Sequence, residues 1–436
     1  MRVWRPVVVA LVAAAVVLAV GAASAAGSWH SPIRITSRGT VTNGWIDGHG
    51  VFRTVGDLAH RPHLTTVTSR GASRPRVSES AVYSVPLQGE RTLAVEYRGS
   101  VRLTVLSPRG VRQHAYTLPG ALPDRVFGFD SRSVVALANG GALVCTDLAE
   151  RDGELVAVLS PGGSRIHLLR VAGARGAAAL PLPDGGCFGA DAAPASAPAG
   201  VIFENGDANE GSGATDAQLL LERVLPGPRL GAPIPLVPTG QAFTVNSGMP
   251  VVAETASGWV AVSWLQSFPL GDKLFSQENL RWISPTDVLG PVIRLTRPTA
   301  SYPAAVSLAA FGQTGVVALI NPESPDTRIY SERIDAPGRV GPRHTLFAGQ
   351  KIVPPVMATS GRKVVAAWGA NGSVRAAQWV DGRWSKPTVL AHCVMLPSVC
   401  PYDPGVTVSR NGHAAVYFSL KPSIPLGLGG AVAFDF

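Results

Sequence analysis

The chain has 436 residues, of which 46% are hydrophobic and only 15% charged, a balance that excludes a disordered protein and leaves enough apolar side chain for a large core. The formal charge of +9 would suit a nucleic-acid surface, but only five of the 38 basic residues are lysines and the arginines stand singly, so nucleic acid is excluded as a partner. The 48 Gly and 36 Pro are spread at turn-like positions rather than gathered in one linker, as many short strands require.

Residues 1–25 read as an export signal: Arg2 and Arg5, an apolar run over 7–20, then small residues with an Ala-x-Ala site at Ala23-Ser24-Ala25. Cleavage after Ala25 would leave a mature chain that is secreted or held at the cell surface, with no membrane span; an uncut anchor is the alternative. A lead segment, 26–40, then precedes one domain over 41–436.

In that domain two kinds of hairpin alternate, and no stretch sustains a helical period. The first kind is two apolar strands about a tight turn, over 80–97, 126–137, 251–264, 305–320, 356–368 and 406–418, with a worn copy at 200–203. The second kind runs alternating apolar residues into a Pro/Gly/Asp turn, over 103–118, 155–169, 219–236, 280–295, 329–347 and 374–390. The clearest stretch is 364–390, where Asn371-Gly372 and Asp381-Gly382 supply the positive-φ pairs of tight hairpin turns. Ser-Pro at Ser107, Ser160 and Ser284 is turn chemistry of the same kind. Two hairpins every 50 residues or so make a four-stranded propeller blade.

The two ends complete the pattern. Residues 41–60 match 374–392 in a Trp, an Asp-Gly, a Leu and an Ala-His, so they read as a second-kind hairpin without a first; 406–418 is a first-kind hairpin followed only by a strand at 431–436. The expected fold is therefore all-β, a single β-propeller of about seven four-stranded blades, its ring closed by N- and C-terminal strands in a shared blade. Residues 41–46 and 431–436 compete for one position in that blade, and an eight-bladed ring is the alternative.

Turns within hairpins fall on one face of such a disc, and connections between hairpins and between blades on the other. The second set is long, over 139–154, 172–198, 205–215, 237–248, 265–276, 391–404 and 421–429, and long loops on a rigid scaffold are where binding and catalysis concentrate. In them lie the binding candidates Asp147, Asp152, Asp184, Asp191, Tyr402 and Asp403. A glycosidase would need two such carboxylates brought close together. Asp207, Asn209, Glu210 and Asp216 offer hard oxygen ligands in a glycine-rich loop, the only hint of a cofactor, calcium, although the spacing departs from a helix-loop-helix calcium loop and a solvated acidic loop is the bland reading. The four cysteines of an exported chain read as two structural disulfides; the sequence allows three pairings, of which the expected architecture favours Cys393 with Cys400 and Cys145 with Cys187. The Trp residues inside strands, Trp259, Trp264, Trp282, Trp368 and Trp379, read as core.

The units at 365–390 and 260–295 resemble exported bacterial propellers grouped with the sialidase-type repeat proteins, and this resemblance extends over 41–436. It implies a propeller with a ligand face at the axis and, in an enzyme, glycoside hydrolase or lyase chemistry. No Asp-box (Ser-x-Asp-x-Gly-x-Thr-Trp) occurs, and no residues here match the family's arginine triad, Tyr nucleophile and catalytic Asp. The reading is a monomeric binding scaffold for an envelope glycan or protein; the alternatives are an enzyme of sialidase-like type and a structural propeller with no small-molecule ligand.

Overall fold

The computed structural model describes residues 29–36, 44–58, 61–68, 70–72, 82–97, 100–120, 134–137, 139–147, 153–172, 186–188, 199–205, 218–225, 227–237, 250–271, 273–300, 304–321, 327–350, 352–361, 363–392, 404–420 and 429–435. The export signal at 1–25 lies outside them.

These residues form eight antiparallel sheets, each a propeller blade. Blade 1 is Trp45–Ile46, Phe52–Leu58, Arg61–Thr68 and Gly71–Ala72; blade 2 is Val82–Leu87, Arg91–Tyr97, Val101–Leu106 and Arg112–Thr117. Blade 3 is Val134–Ala136, Ala142–Asp147, Gly153–Leu159 and Ile166–Ala172; blade 4 is Gly186–Phe188, Ala199–Asn205 and Gln218–Leu225 with the short pieces Arg229–Leu230 and Ile234–Pro235. Blade 5 is Val251–Glu254, Val260–Leu270, Lys273–Ile283 and Leu289–Arg294; blade 6 is Ala305–Phe311, Gly315–Asn321, Arg328–Asp335, Arg339–Val340 and His344–Ala348. Blade 7 is Val356–Thr359, Val364–Ala370, Ser373–Val380, Arg383–Trp384 and Thr388–His392; blade 8 is Gly405–Val408, Ala414–Leu420, Gly429–Asp435 and, from the other end of the chain, Ile33–Thr36.

Except between blades 4 and 5, the first strands of neighbouring blades touch one another and so lie innermost. The split outer strands of blades 4, 6 and 7 follow Pro233, Pro342 and Pro387, which cannot donate to a ladder. Core clusters lie between neighbouring blades, as at 85–166 for blades 2 and 3 and 219–289 for blades 4 and 5. Trp264, Trp282, Trp368 and Trp379 are buried there, as expected.

Four expectations are corrected. The blade count is eight, because 45–72 is a whole blade: Asp47-Gly48 turns between its first two strands, whereas the look-alike Asp381-Gly382 turns between the third and fourth of blade 7. The strand that joins blade 8 is Ile33–Thr36, with Ile33 opposite Val432, and not 41–46. The first hairpin of blade 3 is displaced from 126–137 to 134–147, because the turn is made at Asn139-Gly140-Gly141, where Asn139 Oδ1 accepts from the Gly141 amide. The supposed loop at 265–276 is a ladder, and the supposed loops at 139–154 and 172–198 contain Ala142–Asp147 and Gly186–Phe188.

One turn recurs. Asp47, Ser107, Thr255, Ser284 and Ser409 each accept, through a side-chain oxygen, the amide of the residue four further on, at 2.9–3.2 Å, and Ser160 does so at five. In these turns a positive φ follows three residues after the polar one, at Gly50, Gly110, Gly258, Asp287, Gly412 and Gly163. Asn371-Gly372 and Asp381-Gly382 have positive φ at both positions, as the sequence predicts.

The scattered arginines also acquire a role. Arg53 donates to the Pro108 carbonyl of blade 2, Arg91 to Gly162 of blade 3, Arg223 to Ser284 of blade 5 and Arg343 to Leu295 of blade 5, each from a neighbouring blade. Lys363 reaches Gly412 and Asp435 of blade 8 in the same way. At these five seams a long cation satisfies backbone carbonyls of the neighbouring blade, which uses positive charge without a binding stripe.

Candidate functional site

The described part of the face opposite the short turns is dominated by blade 5. Its two central strands pair through eleven residues, Val260↔Ile283 to Leu270↔Lys273, where the same pair in every other blade runs, among the described residues, through six or seven. Four further residues extend a strand by about 13 Å. The hairpin ends at Gly271, whose φ of 63° suits the first position of a two-residue turn.

Strand alternation gives this ribbon two different sides. Phe268 pairs with Phe275 and Leu270 with Lys273, so these four share one side with Gln266 and Gln277. Leu270 is 60% exposed, Lys273 is exposed, and the two phenylalanines are half-buried. Beneath them, Asn279 donates to Gln266 Oε1 at 2.9 Å and Gln277 to the Thr296 carbonyl at 3.0 Å. An aromatic pair, an apolar tip and one ammonium thus stand on an amide layer.

The other side of the base carries Glu278, buried, accepting from the Ser263 hydroxyl at 3.2 Å. Desolvation pushes its carboxyl up to about 8, against the smaller opposing effect of that hydrogen bond, so it is protonated at neutral pH. Thr296 Oγ1 accepts from the Glu278 amide, and Ser276 and Thr299 exchange two backbone bonds. The projection is therefore anchored at its root by a neutral, hydrogen-bonded layer.

Around the axis the described inner strands present mainly apolar and small residues. Their one carboxylate is Glu254, at the short-turn end of blade 5. Burial pushes it up to about 7, opposed by the charge of Arg223, which is itself bound to Asp287. Among the described residues, no group of three or more His, Cys, Asp or Glu is placed to hold a metal.

Of the residues expected from the sequence, Asp147 ends the second strand of blade 3. Asp152, Asp184, Asp191, Tyr402 and Asp403 lie outside the described residues, as do Asp207, Asn209, Glu210 and Asp216 of the proposed calcium loop. Cys145 is buried in the second strand of blade 3, and Cys187 is in the first strand of blade 4, two strands in contact. Cys393 and Cys400 lie outside the described residues. The hairpin was missed because Pro269, Gly271 and Asp272 read as a loop; the signal that could have revealed it is the alternation Trp264, Gln266, Phe268, Leu270 before it and Lys273, Phe275, Gln277 after it.

No protein-family profile matches this sequence, and no curated protein matches it. Solved structures share its fold. The Dos1 propeller is 10% identical over 94% of this chain and 95% of its own, with a TM-score of 0.56. The polysaccharide lyase Uly1 is 10% identical over 93% of this chain and 99% of its own, with a TM-score of 0.50. BamB from Moraxella catarrhalis is 11% identical over 94% and 100%, with a TM-score of 0.45. At such identities the likeness is one of fold: a single all-β propeller.

Proposed function

We propose that this protein is an extracytoplasmic binding scaffold whose ligand, an envelope glycan or protein, engages the face bearing the blade 5 hairpin. The observation that carries this is that, among the described residues, Val260–Leu270 and Lys273–Ile283 extend beyond the matching strands of every other blade, ending in exposed Leu270 and Lys273 beside Phe268 and Phe275. A monomer matured by removal of residues 1–25 fits the basic, apolar, small-residue start of the chain. A Cys145–Cys187 disulfide would staple blades 3 and 4; it is supported by the contact of their two strands and by the lack of a free thiol among the described cysteines. Calcium at Asp207, Asn209, Glu210 and Asp216 is a further part of the proposal.

The test compares the mature chain with a variant in which residues 267–276 are replaced by a two-residue turn, both immobilised and exposed to a solubilised cell-envelope fraction. Retention of glycan or protein by the full hairpin and its loss on trimming is the expected result; equal retention by both chains overturns the reading.

A second reading, a polysaccharide lyase or glycoside hydrolase acting at the same face, draws on the fold shared with Uly1 and on the carboxylates of the connecting segments. It predicts new reducing ends from envelope polysaccharide, which the scaffold reading does not.

A further inference from the structure

The short-turn face carries a ring of cations. Seven blades turn from their third strand to their fourth, while blade 8 takes its fourth strand from the N-terminal end of the chain. Six of those seven turns hold an exposed arginine: Arg70, Arg109, Arg165, Arg229, Arg339 and Arg383, in blades 1, 2, 3, 4, 6 and 7. Arg70 and Arg109 lie inside their turns, between Thr68 and Gly71 and between Ser107 and Val111. The other four close theirs, opposite Ser160, Leu225, Asp335 and Val380. In an antiparallel meander every third-to-fourth turn falls at the same end of the disc, so place in the turn, not the side of a strand, sets the six on one face. The Ser107 and Ser160 hydroxyl groups accept backbone amides and hold two of these turns in shape.

This charge is not neutralised within the chain. None of the six guanidinium groups is in an ion pair among the described residues, whereas the neighbouring acids Glu90, Asp287 and Asp335 are held by Arg53, Arg223 and Arg333. Asp381 is the one exposed acid of the described turns without such a pair. Apolar side chains stand among the cations: Val111, Val288 and Val340, in or beside the turns of blades 2, 5 and 6, are 64%, 65% and 45% exposed. The N-terminal end meets the same face. His30 donates its amide to the Phe434 carbonyl at 2.9 Å, and Phe434 lies opposite Ala415, beside the turn at 409–413. On the export-signal reading of residues 1–25, only 26–28 separate the cleavage site from Trp29, a reach of roughly 14 Å. The exported chain is then held with this face next to the membrane until it is cut.

We infer that the short-turn face docks on a lipid bilayer rich in anionic phospholipid. A plane can meet all the turns of the ring at once, whereas a linear polyanion, glycan or nucleic acid, would follow one stretch of the rim. The arginines would lie at the level of the phosphate groups and the three valines would enter the interface between them, a mixture of basic and apolar groups that suits a membrane surface. The blade 5 hairpin then projects away from the bilayer. The two faces act independently: a hairpin ligand free of lipid leaves the short turns untouched. The orientation rests on the export-signal reading; the ring of arginines does not.

The probe is a set of vesicles, phosphatidylcholine alone or mixed in equal parts with phosphatidylglycerol, sedimented with the chain from residue 26 onward, which contains every described residue. The anionic vesicles should carry the protein down at low salt, the neutral ones should not, and binding should fall as salt is raised. A basic group near an anionic leaflet contributes about fivefold, so Arg109→Glu with Arg339→Glu should weaken binding about 25-fold or more. Val111→Ser with Val288→Ser should weaken it about fivefold and leave the salt dependence as it was. Arg294→Glu with Arg297→Glu, exposed at the opposite end of blade 5, should leave binding unchanged. Circular dichroism confirms that each variant is folded. Four results overturn the inference: no binding of the unmodified chain to anionic vesicles, equal binding to neutral ones, equal weakening by the control pair, or polyphosphate bound as tightly as the vesicles with the valine pair without effect.

Discussion

Arg53→Met would remove the cation that joins blades 1 and 2. The side chains of Arg53 and Asp47 are 7% and 4% exposed, and Arg53 Nη2 lies 2.7 Å from Asp47 Oδ2. Arg53 also reaches the Pro108 carbonyl at 3.2 Å and lies over the Trp45 ring at 5.4 Å. Removing one partner of a buried pair costs about 3–5 kcal/mol, chiefly because the other charge stays buried. Asp47 Oδ1 keeps the His49 and Val51 amides, both at 2.9 Å, which places the expected loss at the lower end, about 3 kcal/mol. Glu90 adds little, since it is 42% exposed and its attraction is screened. Urea unfolding followed by tryptophan fluorescence gives the stability loss. Adding Asp47→Asn to Arg53→Met should restore most of it, because no buried charge then remains. A loss below about 1 kcal/mol for Arg53→Met, or a double variant worse than the sum of the single ones, would refute the reasoning.

Gly163→Ala should destabilise by about 2–4 kcal/mol, because φ is 73° there and a Cβ would meet Leu87 Cδ1 and Val105 Cγ2, each at 2.8 Å; refolding midpoints report it, and a neutral effect would mean the seam between blades 2 and 3 is looser than described. Glu278 has a folded pKa raised to about 8 from 4.5, so the native chain holds a proton that the unfolded chain has lost between those values. Its contribution is therefore fully present below about pH 4.5 and is lost as pH rises towards 8, by about 1.4 kcal/mol per unit. Glu278→Gln, which still accepts from Ser263, should flatten that slope and unfold later than the unaltered chain at pH 8; parallel pH profiles would contradict it. Reduction of the proposed Cys145–Cys187 link should cost about 2–4 kcal/mol, read by thermal unfolding with and without reductant, and peptide mapping without reduction should recover the two cysteines in one linked fragment.

The turns were legible in the sequence because their chemistry is local: Asn371-Gly372, Asp381-Gly382 and the Ser-Pro turns dictate their own φ values and hydrogen bonds. Strand partners were less so. Trp45-Ile46-Asp47-Gly48 and Trp379-Val380-Asp381-Gly382 look alike but turn between different strands, and only the ladder Phe52↔Val67 shows which strand follows. The pairing of Ile33 with Val432 joins residues at opposite ends of the chain, a contact no local pattern encodes. The blade 5 ladder was hidden because Pro269 and Gly271 weaken the strand signal that Phe268 and Phe275 support.

The most direct measurement on the binding role is hydrogen exchange on the mature chain, free and in the presence of the envelope material it retains. The account predicts slowed exchange over residues 265–278, the projecting part of the blade 5 ladder, with the short turns at 107–111, 284–288 and 409–412 unchanged. Protection confined to those short turns, with the hairpin unaffected, would contradict it.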